Sequence, residues 1–168
     1  MRSWTALAIL CLAWVLVVPG AAPAEDGMSV AAQAMGNDDI VLIRVGLAEP
    51  NGVASWGLSI AHKPETATAN QSTSFGAFGM LSTDVEILSP GTLGLWAGLT
   101  AKPFLDIDLM YDIDQSKVQV WPGAGVRLAP TKTLALIARA IYPIGDDNSP
   151  SAVDLNEMMY LFGLEIVF

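Results

Sequence analysis

The feature that most constrains the fold is a strict alternation of apolar and polar residues, clearest over residues 104–114. One parity of this segment is apolar throughout: Leu105, Ile107, Leu109, Tyr111 and Ile113. The other parity carries four aspartates: Asp106, Asp108, Asp112 and Asp114. Successive side chains of a β-strand point to opposite faces, so this segment predicts a strand with one apolar face and one acidic face.

The same period of two recurs along the rest of the chain, separated by turn residues. We distinguish eight segments: 39–48, 53–63, 72–87, 92–101, 104–114, 117–128, 132–143 and 157–168. Turn residues such as Asn51-Gly52, Pro90-Gly91 and Lys102-Pro103 lie between them. Segment 72–87 is the least regular, since Phe75 does not share parity with Phe78 and Met80, and a bulge or a shorter strand fits there. The pattern predicts an all-β fold of eight antiparallel strands.

The first residues of the chain have the three-part pattern of a secretory signal. Arg2 supplies a positive charge, Ala6 to Val18 are apolar, and Ala22-Pro23-Ala24 forms a cleavage site. We therefore expect residues 1–24 to be a cleaved signal peptide. Residues 25–38 are small and polar and predict a flexible leader, which leaves 39–168 as the folded domain.

Composition excludes several classes of function. Cys11 is the single cysteine of the chain and lies within the predicted signal, so thiol catalysis and disulfides are excluded for the mature part. The formal net charge of −9 argues against nucleic acid as a partner, because phosphates need basic surfaces. No apolar run of the mature part is long enough to cross a bilayer as a helix.

The second face of the strands indicates which side faces the interior. In 117–128 the face opposite the apolar one includes Gly123, Gly125 and Arg127. A closed eight-stranded barrel has an interior barely wide enough for side chains, so small or mutually paired residues suit that interior. The pattern favours a barrel with its apolar face outside. A soluble sandwich or lipocalin-like barrel, with the apolar face as its core, remains the alternative.

Aromatic residues on the apolar face add a second indication. Tyr111, Tyr142 and Tyr160 lie seven to nine residues from the inferred periplasmic ends of their strands. At roughly 3.3 Å per residue and about 45° of tilt, this spacing approaches the ~25 Å apolar band of an outer-membrane barrel. The spacing predicts an outer aromatic girdle at these tyrosines and an inner one at Phe168.

The C-terminal strand carries a recognisable motif. It consists of Tyr160, Phe162, Gly163, Leu164, Ile166 and Phe168. A terminal Phe preceded by alternating apolar residues resembles the assembly signal of bacterial outer-membrane barrel proteins. The strand number and chain size resemble the small OmpA-transmembrane and OmpX type. The resemblance implies an up-and-down transmembrane barrel in the outer membrane of a Gram-negative bacterium, with outer-membrane lipid, lipopolysaccharide and the barrel-assembly machinery as partners.

Charged residues on the inward parity predict a network inside the barrel. Its members are Arg44, Asp106, Asp108, Arg127, Arg139 and Glu165. Strand counting pairs Asp106 with Arg127 and, through closure of the barrel, Arg44 with Glu165. Buried charges must pair, because an isolated one is costly. Two interpretations stay open: salt bridges that fill the interior, and a polar conduit opened when the bridges re-pair.

Catalytic and metal sites receive little support. His62 is the single histidine, and its odd separation from Ser59 places the two on opposite faces of a strand, so they could meet only across a bulge. A lipid A-modifying enzyme is thus the least favoured hypothesis. Asp146 and Asp147 are weak candidates for divalent-cation ligands in an acidic loop. We expect no cofactor.

The sequence therefore predicts a monomeric outer-membrane barrel with a filled, charge-paired interior. Its expected role is structural, in surface interactions, or as a narrow porin-like conduit. The alternative from another class is a soluble periplasmic β-barrel that binds a small apolar ligand.

Overall fold

Eight strands form a closed, all-antiparallel barrel, as the sequence predicts. The computed structural model describes residues 27–49, 52–65, 71–83, 100–145 and 157–168. The strands are β1 (Ser29–Gly36), β2 (Val41–Ala48), β3 (Ala54–Lys63), β4 (Ser72–Ser82), β5 (Thr100–Asp112), β6 (Lys117–Ala129), β7 (Leu134–Ile141) and β8 (Met159–Val167). Each strand pairs with the next, and β8 pairs with β1 to close the barrel. In these described ranges no helix is long and apolar enough to cross a membrane.

The two ends of the barrel are distinguished by their connections. Ser29 begins β1 and Val167 ends β8 at one end, which we call the terminal end. The β1–β2 turn and the β5–β6 turn lie at the opposite end, which we call the hairpin end. Odd-numbered strands therefore run toward the hairpin end and even-numbered strands run back.

The barrel is apolar outside and charged inside. Leu58 is 71% exposed and Phe162 is 65% exposed, and every strand contributes at least one exposed large apolar side chain. Along the eight strands, every charged residue occupies the inward parity: Arg44, Lys63, Lys102, Asp106, Asp108, Asp112, Lys117, Arg127, Arg139 and Glu165. This arrangement reverses the usual distribution, in which charged side chains stay at the surface and apolar ones are buried.

Residues 29–36 correct the prediction of a flexible leader over 25–38. They form β1, which hydrogen-bonds to β2 on one side and to β8 on the other. The strand escaped prediction because small residues occupy both of its faces. Ala31 points inward and Ala32 and Ala34 point outward, so hydrophobicity hardly alternates. Without β1 the barrel would keep two open edges.

The start of β5 corrects a predicted turn. Lys102-Pro103 was expected to separate two strands, but both residues lie within β5, which begins at Thr100. The carbonyl of Pro103 accepts a hydrogen bond from the N–H of Thr83, just beyond the end of β4, but proline has no N–H to return that bond, and the β4–β5 pairing ends at Ser82↔Phe104. Proline is tolerated there because it lies where the pairing with β4 ends. Thr100 and Ala101, the last two residues of the predicted strand 92–101, therefore belong to β5. Residues 92–99 lie outside the described residues.

Strand β4 is regular despite its mixed pattern. Phe75 points outward and is half exposed, whereas Phe78 and Met80 point inward and are buried. The pairing with β3 runs without interruption from Lys63↔Ser72 to Ala54↔Leu81. The strand ends at Ser82 rather than at residue 87, and the predicted part at 84–87 lies outside the described residues.

Candidate functional site

A cluster of four charged side chains fills the middle of the barrel, and we call it the charged layer. Its members are Arg44, Asp106, Asp108 and Arg139. Arg44 Nε donates to Asp108 Oδ1 at 3.0 Å, and Nη2 donates to Oδ2 of the same carboxylate. Its Nη1 donates to Asp106 Oδ2 at 2.7 Å. One guanidinium therefore holds two carboxylates, which is the fork geometry that distinguishes arginine from lysine.

Arg139 completes the charged layer from the opposite wall. Its Nε lies 3.0 Å from Asp106 Oδ1 and 2.8 Å from Oδ2, and its Nη2 donates to Asp108 Oδ2 at 2.7 Å. All four side chains have zero exposure. Two positive and two negative charges thus balance within one group, which offsets the cost of removing them from water.

Uncharged neighbours complete the layer. The Ser59 hydroxyl donates to Asp108 Oδ1 at 2.6 Å. The guanidinium of Arg44 stacks over Phe78, 4.7 Å from the ring centroid, in a cation–π contact. Within the part of the chain that the structure describes, Nη1 of Arg139 has no hydrogen-bond partner.

A second ion pair lies nearer the terminal end. Arg127 Nε donates to Glu165 Oε1 at 2.5 Å, and the Arg127 side chain is 16% exposed. Gln33 donates to Glu165 Oε2 at 2.7 Å, and its carbonyl accepts a long hydrogen bond of 3.4 Å from Arg44 Nη1. Gln33 therefore connects the two groups of charges into one chain of hydrogen bonds.

All six charged residues of the predicted network lie inside the barrel, but with different partners from those expected. The expected pair Asp106–Arg127 does not form, because the β5–β6 register sets Asp106 opposite Gly123 and Arg127 opposite Lys102. The expected pair Arg44–Glu165 does not form either, because β1 lies between β2 and β8 and places Gln33 between these two side chains. Both errors come from strand boundaries: the first from a misjudged hairpin, the second from the missed β1.

Gln33, Ser59 and Phe78 are the members of this site that the sequence did not indicate. Gln33 lies on the strand that was taken for a leader, although a polar residue between Ala31 and Met35 on one parity was a signal for it. Ser59 is an ordinary small residue in sequence, and nothing about it singled out a bond to Asp108.

The aromatic residues of the predicted girdle lie as follows. Tyr111 is the second-last residue of β5, Tyr142 follows β7, and Tyr160 is the second residue of β8. All three are thus at the hairpin end, on the outer face. Phe75 packs edge-to-face against Tyr111 with centroids 5.6 Å apart. Phe168 lies at the terminal end, where its N–H donates to the Val30 carbonyl at 2.9 Å.

The C-terminal motif residues alternate across β8. Tyr160, Phe162, Leu164 and Ile166 share the outward parity, and Gly163 points inward. A Cβ at Gly163 would meet the backbone of Ala34 and Met35, so close approach of β8 to β1 requires glycine here. The terminal strand is thereby fitted to the strand that closes the barrel.

The candidate catalytic residues His62 and Ser59 lie on opposite faces of β3. His62 points outward, with Nδ1 3.1 Å from the Thr73 hydroxyl, whereas Ser59 points inward to Asp108. In the described ranges no three His, Cys, Asp or Glu side chains cluster closely enough to hold a metal ion. Asp146 and Asp147 lie outside the described residues.

The architecture has a counterpart among solved structures. The N-terminal β-barrel domain of Pseudomonas aeruginosa OprF aligns with a TM-score of 0.50, covering 86% of this chain and 98% of that domain. The two chains share a fold. Their sequence identity is 13%, and neither a family model nor a curated protein matches this chain. The shared architecture confirms the predicted fold, a closed eight-stranded antiparallel barrel.

Proposed function

We propose that this protein is an integral barrel of the Gram-negative outer membrane with a structural or surface-interaction role. The observation that carries the proposal is the inverted polarity of the barrel, with apolar side chains outside and every charged strand residue inside. In water such an outer surface would be a large apolar patch of the kind that soluble monomers avoid. In a bilayer the same surface faces acyl chains, and the closed ladder satisfies the backbone.

The same observation weighs against a soluble periplasmic ligand-binding barrel. That alternative requires Leu58, Leu105 and Phe162 to line a core, but these are among the most exposed large apolar side chains of the described residues. Its ligand cavity would also have to occupy the space that Arg44, Arg139 and their aspartates fill.

A lipid A-modifying activity has no support from geometry. A serine nucleophile needs a base within hydrogen-bond reach. Ser59 and His62 lie on opposite faces of β3, and Ser59 is engaged by a carboxylate inside the barrel. We therefore propose a non-enzymatic role.

Two sequence motifs support a proposed route of export and assembly. Residues 1–24 direct export and are removed, and the strand ending at Phe168 is the segment read by the barrel-assembly machinery. The tyrosines at the hairpin end would then lie at the interface with lipopolysaccharide, and the barrel would function as a monomer.

Fractionation with heat-modifiability tests the proposal. The full chain is produced in a Gram-negative host, inner and outer membranes are separated, and samples are run on SDS gels with and without boiling. We expect recovery in the outer-membrane fraction and a shift in migration on boiling. Recovery as a soluble periplasmic species would overturn the proposal.

A further inference from the structure

On the hairpin side of the charged layer, the inward residues next to the charges are apolar. On β2 the next inward residue after Arg44 is Leu42, on β5 Met110 follows Asp108, and on β7 Ile141 follows Arg139. The remaining strands place apolar or glycine residues at the same level: Met35 on β1, Ala61 on β3, Gly76 on β4, Trp121 on β6 and Leu161 on β8.

These residues form a continuous apolar plug across the barrel, which we call the sealing layer. Its large members, Leu42, Met110, Trp121, Ile141 and Leu161, belong to one cluster of contacting buried side chains, which also extends past the charges to Met80, Phe104 and Ile137 on the terminal side. Each of the five is at most 1% exposed. Trp121 is the largest, and its Nε1–H donates to Gln119 Oε1 at 2.9 Å, which fixes the indole from the hairpin side.

Polar groups lie on both sides of the sealing layer. Toward the terminal end, hydrogen bonds continue from Arg44 through Gln33 to Glu165 and the partly exposed Arg127. Toward the hairpin end, Asp112 accepts hydrogen bonds from Ser72 and from two backbone N–H groups of its own turn. Gln119 accepts from Trp121, so the hydrogen bonds of Asp112 and Gln119 run to Ser72, to the β5–β6 turn and to Trp121.

We propose that the sealing layer, and not the ion pairs, is the permeability barrier of this barrel. Water and ions entering from the terminal end could be solvated by the polar chain as far as Arg139. They would then meet a level where, among the described residues, the one side-chain N–H group, Trp121 Nε1, is already bonded to Gln119. Transfer through such a level is unfavourable and a narrow pore dewets. Re-pairing of salt bridges would leave this level closed. The inference rests on the proposed function, because a barrier has meaning only in a membrane.

Two isoleucines on one strand provide a matched test. Ile137 and Ile141 flank Arg139 on β7, are both buried, and differ in side: Ile141 belongs to the sealing layer and Ile137 lies on the terminal side of the charges. Refolded wild-type protein and the variants Ile141→Ser, Ile137→Ser, Leu161→Ser and Arg139→Gln are inserted into planar bilayers in KCl. Each variant is first checked for heat-modifiable migration, and Leu161→Ser carries the test if Ile141→Ser fails to fold.

We expect wild type, Ile137→Ser and Arg139→Gln to stay closed and the sealing-layer variants to raise conductance at least about tenfold, because a serine supplies the missing polar contact. Equal conductance of Ile137→Ser and Ile141→Ser would overturn the inference. So would a conducting Arg139→Gln beside closed sealing-layer variants. Failure of the wild type to insert would instead contradict the proposed function.

Discussion

Arg44 and Asp108 form a two-point ion pair across the barrel interior, from β2 to β5, with neither side chain exposed to solvent. Strands β2 and β5 are not neighbours, so the pair links opposite parts of the wall. Because Arg139 binds the same carboxylate, Asp108 holds two guanidinium groups at once.

Removal of Asp108 should therefore destabilise the barrel strongly. Asp108→Asn leaves two buried arginines with one carboxylate, and breaking a buried pair in this way costs about 3–5 kcal/mol. Urea unfolding in lipid vesicles measures the loss. The control is Asp38→Asn, in an exposed turn, which should leave the midpoint unchanged. Similar midpoints for the two variants would contradict the assigned role of Asp108.

Near the terminal end, Arg127 should be coupled in stability more strongly to Glu165, its observed partner, than to Asp106, the partner expected from sequence. A double-mutant cycle of Arg127→Gln with Glu165→Gln should give a coupling of about 0.5–3 kcal/mol, as contacting residues do. The cycle of Arg127→Gln with Asp106→Asn should give a smaller coupling, since these two side chains are linked only through Glu165, Gln33 and Arg44. A larger coupling to Asp106 would favour the register predicted from sequence.

These two cycles compare the observed pairing with the pairing predicted from sequence, and the difference shows which features the sequence can predict. Alternation alone indicates that Arg44, Asp106 and Glu165 point inward, because parity is a local property of a strand. Pairing depends on register and on which strands are neighbours, so one missed strand changes the partners of Arg44 and Glu165. The strand was missed because alanines on both faces of β1 give no hydrophobic contrast.

Proline misled the prediction for a similar reason. Proline marks a turn in most contexts, but Pro103 lies within β5 at the point where the pairing with β4 ends, so its missing N–H affects only the end of that ladder. Only the pairing of β4 with β5 reveals that position. Alternation therefore determines which face a residue occupies, and long-range pairing determines where the strand begins.

Replacement by alanine should destabilise the barrel at one glycine of β4 and have little effect at another. A Cβ on Gly76 would meet the backbone of Leu109 and Met110, whereas a Cβ on Gly79 has nothing within 4 Å. Gly76→Ala should cost about 1–3 kcal/mol through overpacking, because backbone atoms cannot give way easily. Gly79→Ala should cost little. Comparable urea midpoints for both variants would contradict the close approach of β4 to β5 at Gly76.

Depth in the bilayer should determine the cost of a charge on the outer face. Leu58 lies in the middle of β3 and Leu134 is the first residue of β7. Leu58→Arg should cost about 2–4 kcal/mol and Leu134→Arg about 0–1 kcal/mol, as found for midplane and interfacial positions of such barrels. Unfolding in vesicles measures both. If Leu58→Arg were as stable as the wild type, the outer face at that level would not be in lipid.

The inverted polarity of the barrel can be measured most directly with two tryptophans. Trp56 points outward and is 42% exposed, and Trp121 points inward and is fully buried. Variants that keep one of the two, with the other tryptophans replaced by Phe, are refolded into vesicles whose lipids carry bromine on their acyl chains. Strong quenching of Trp56 fluorescence with little quenching of Trp121 is the predicted result. Equal quenching of both, or stronger quenching of Trp121, would contradict a barrel whose apolar face meets lipid and whose charges lie inside.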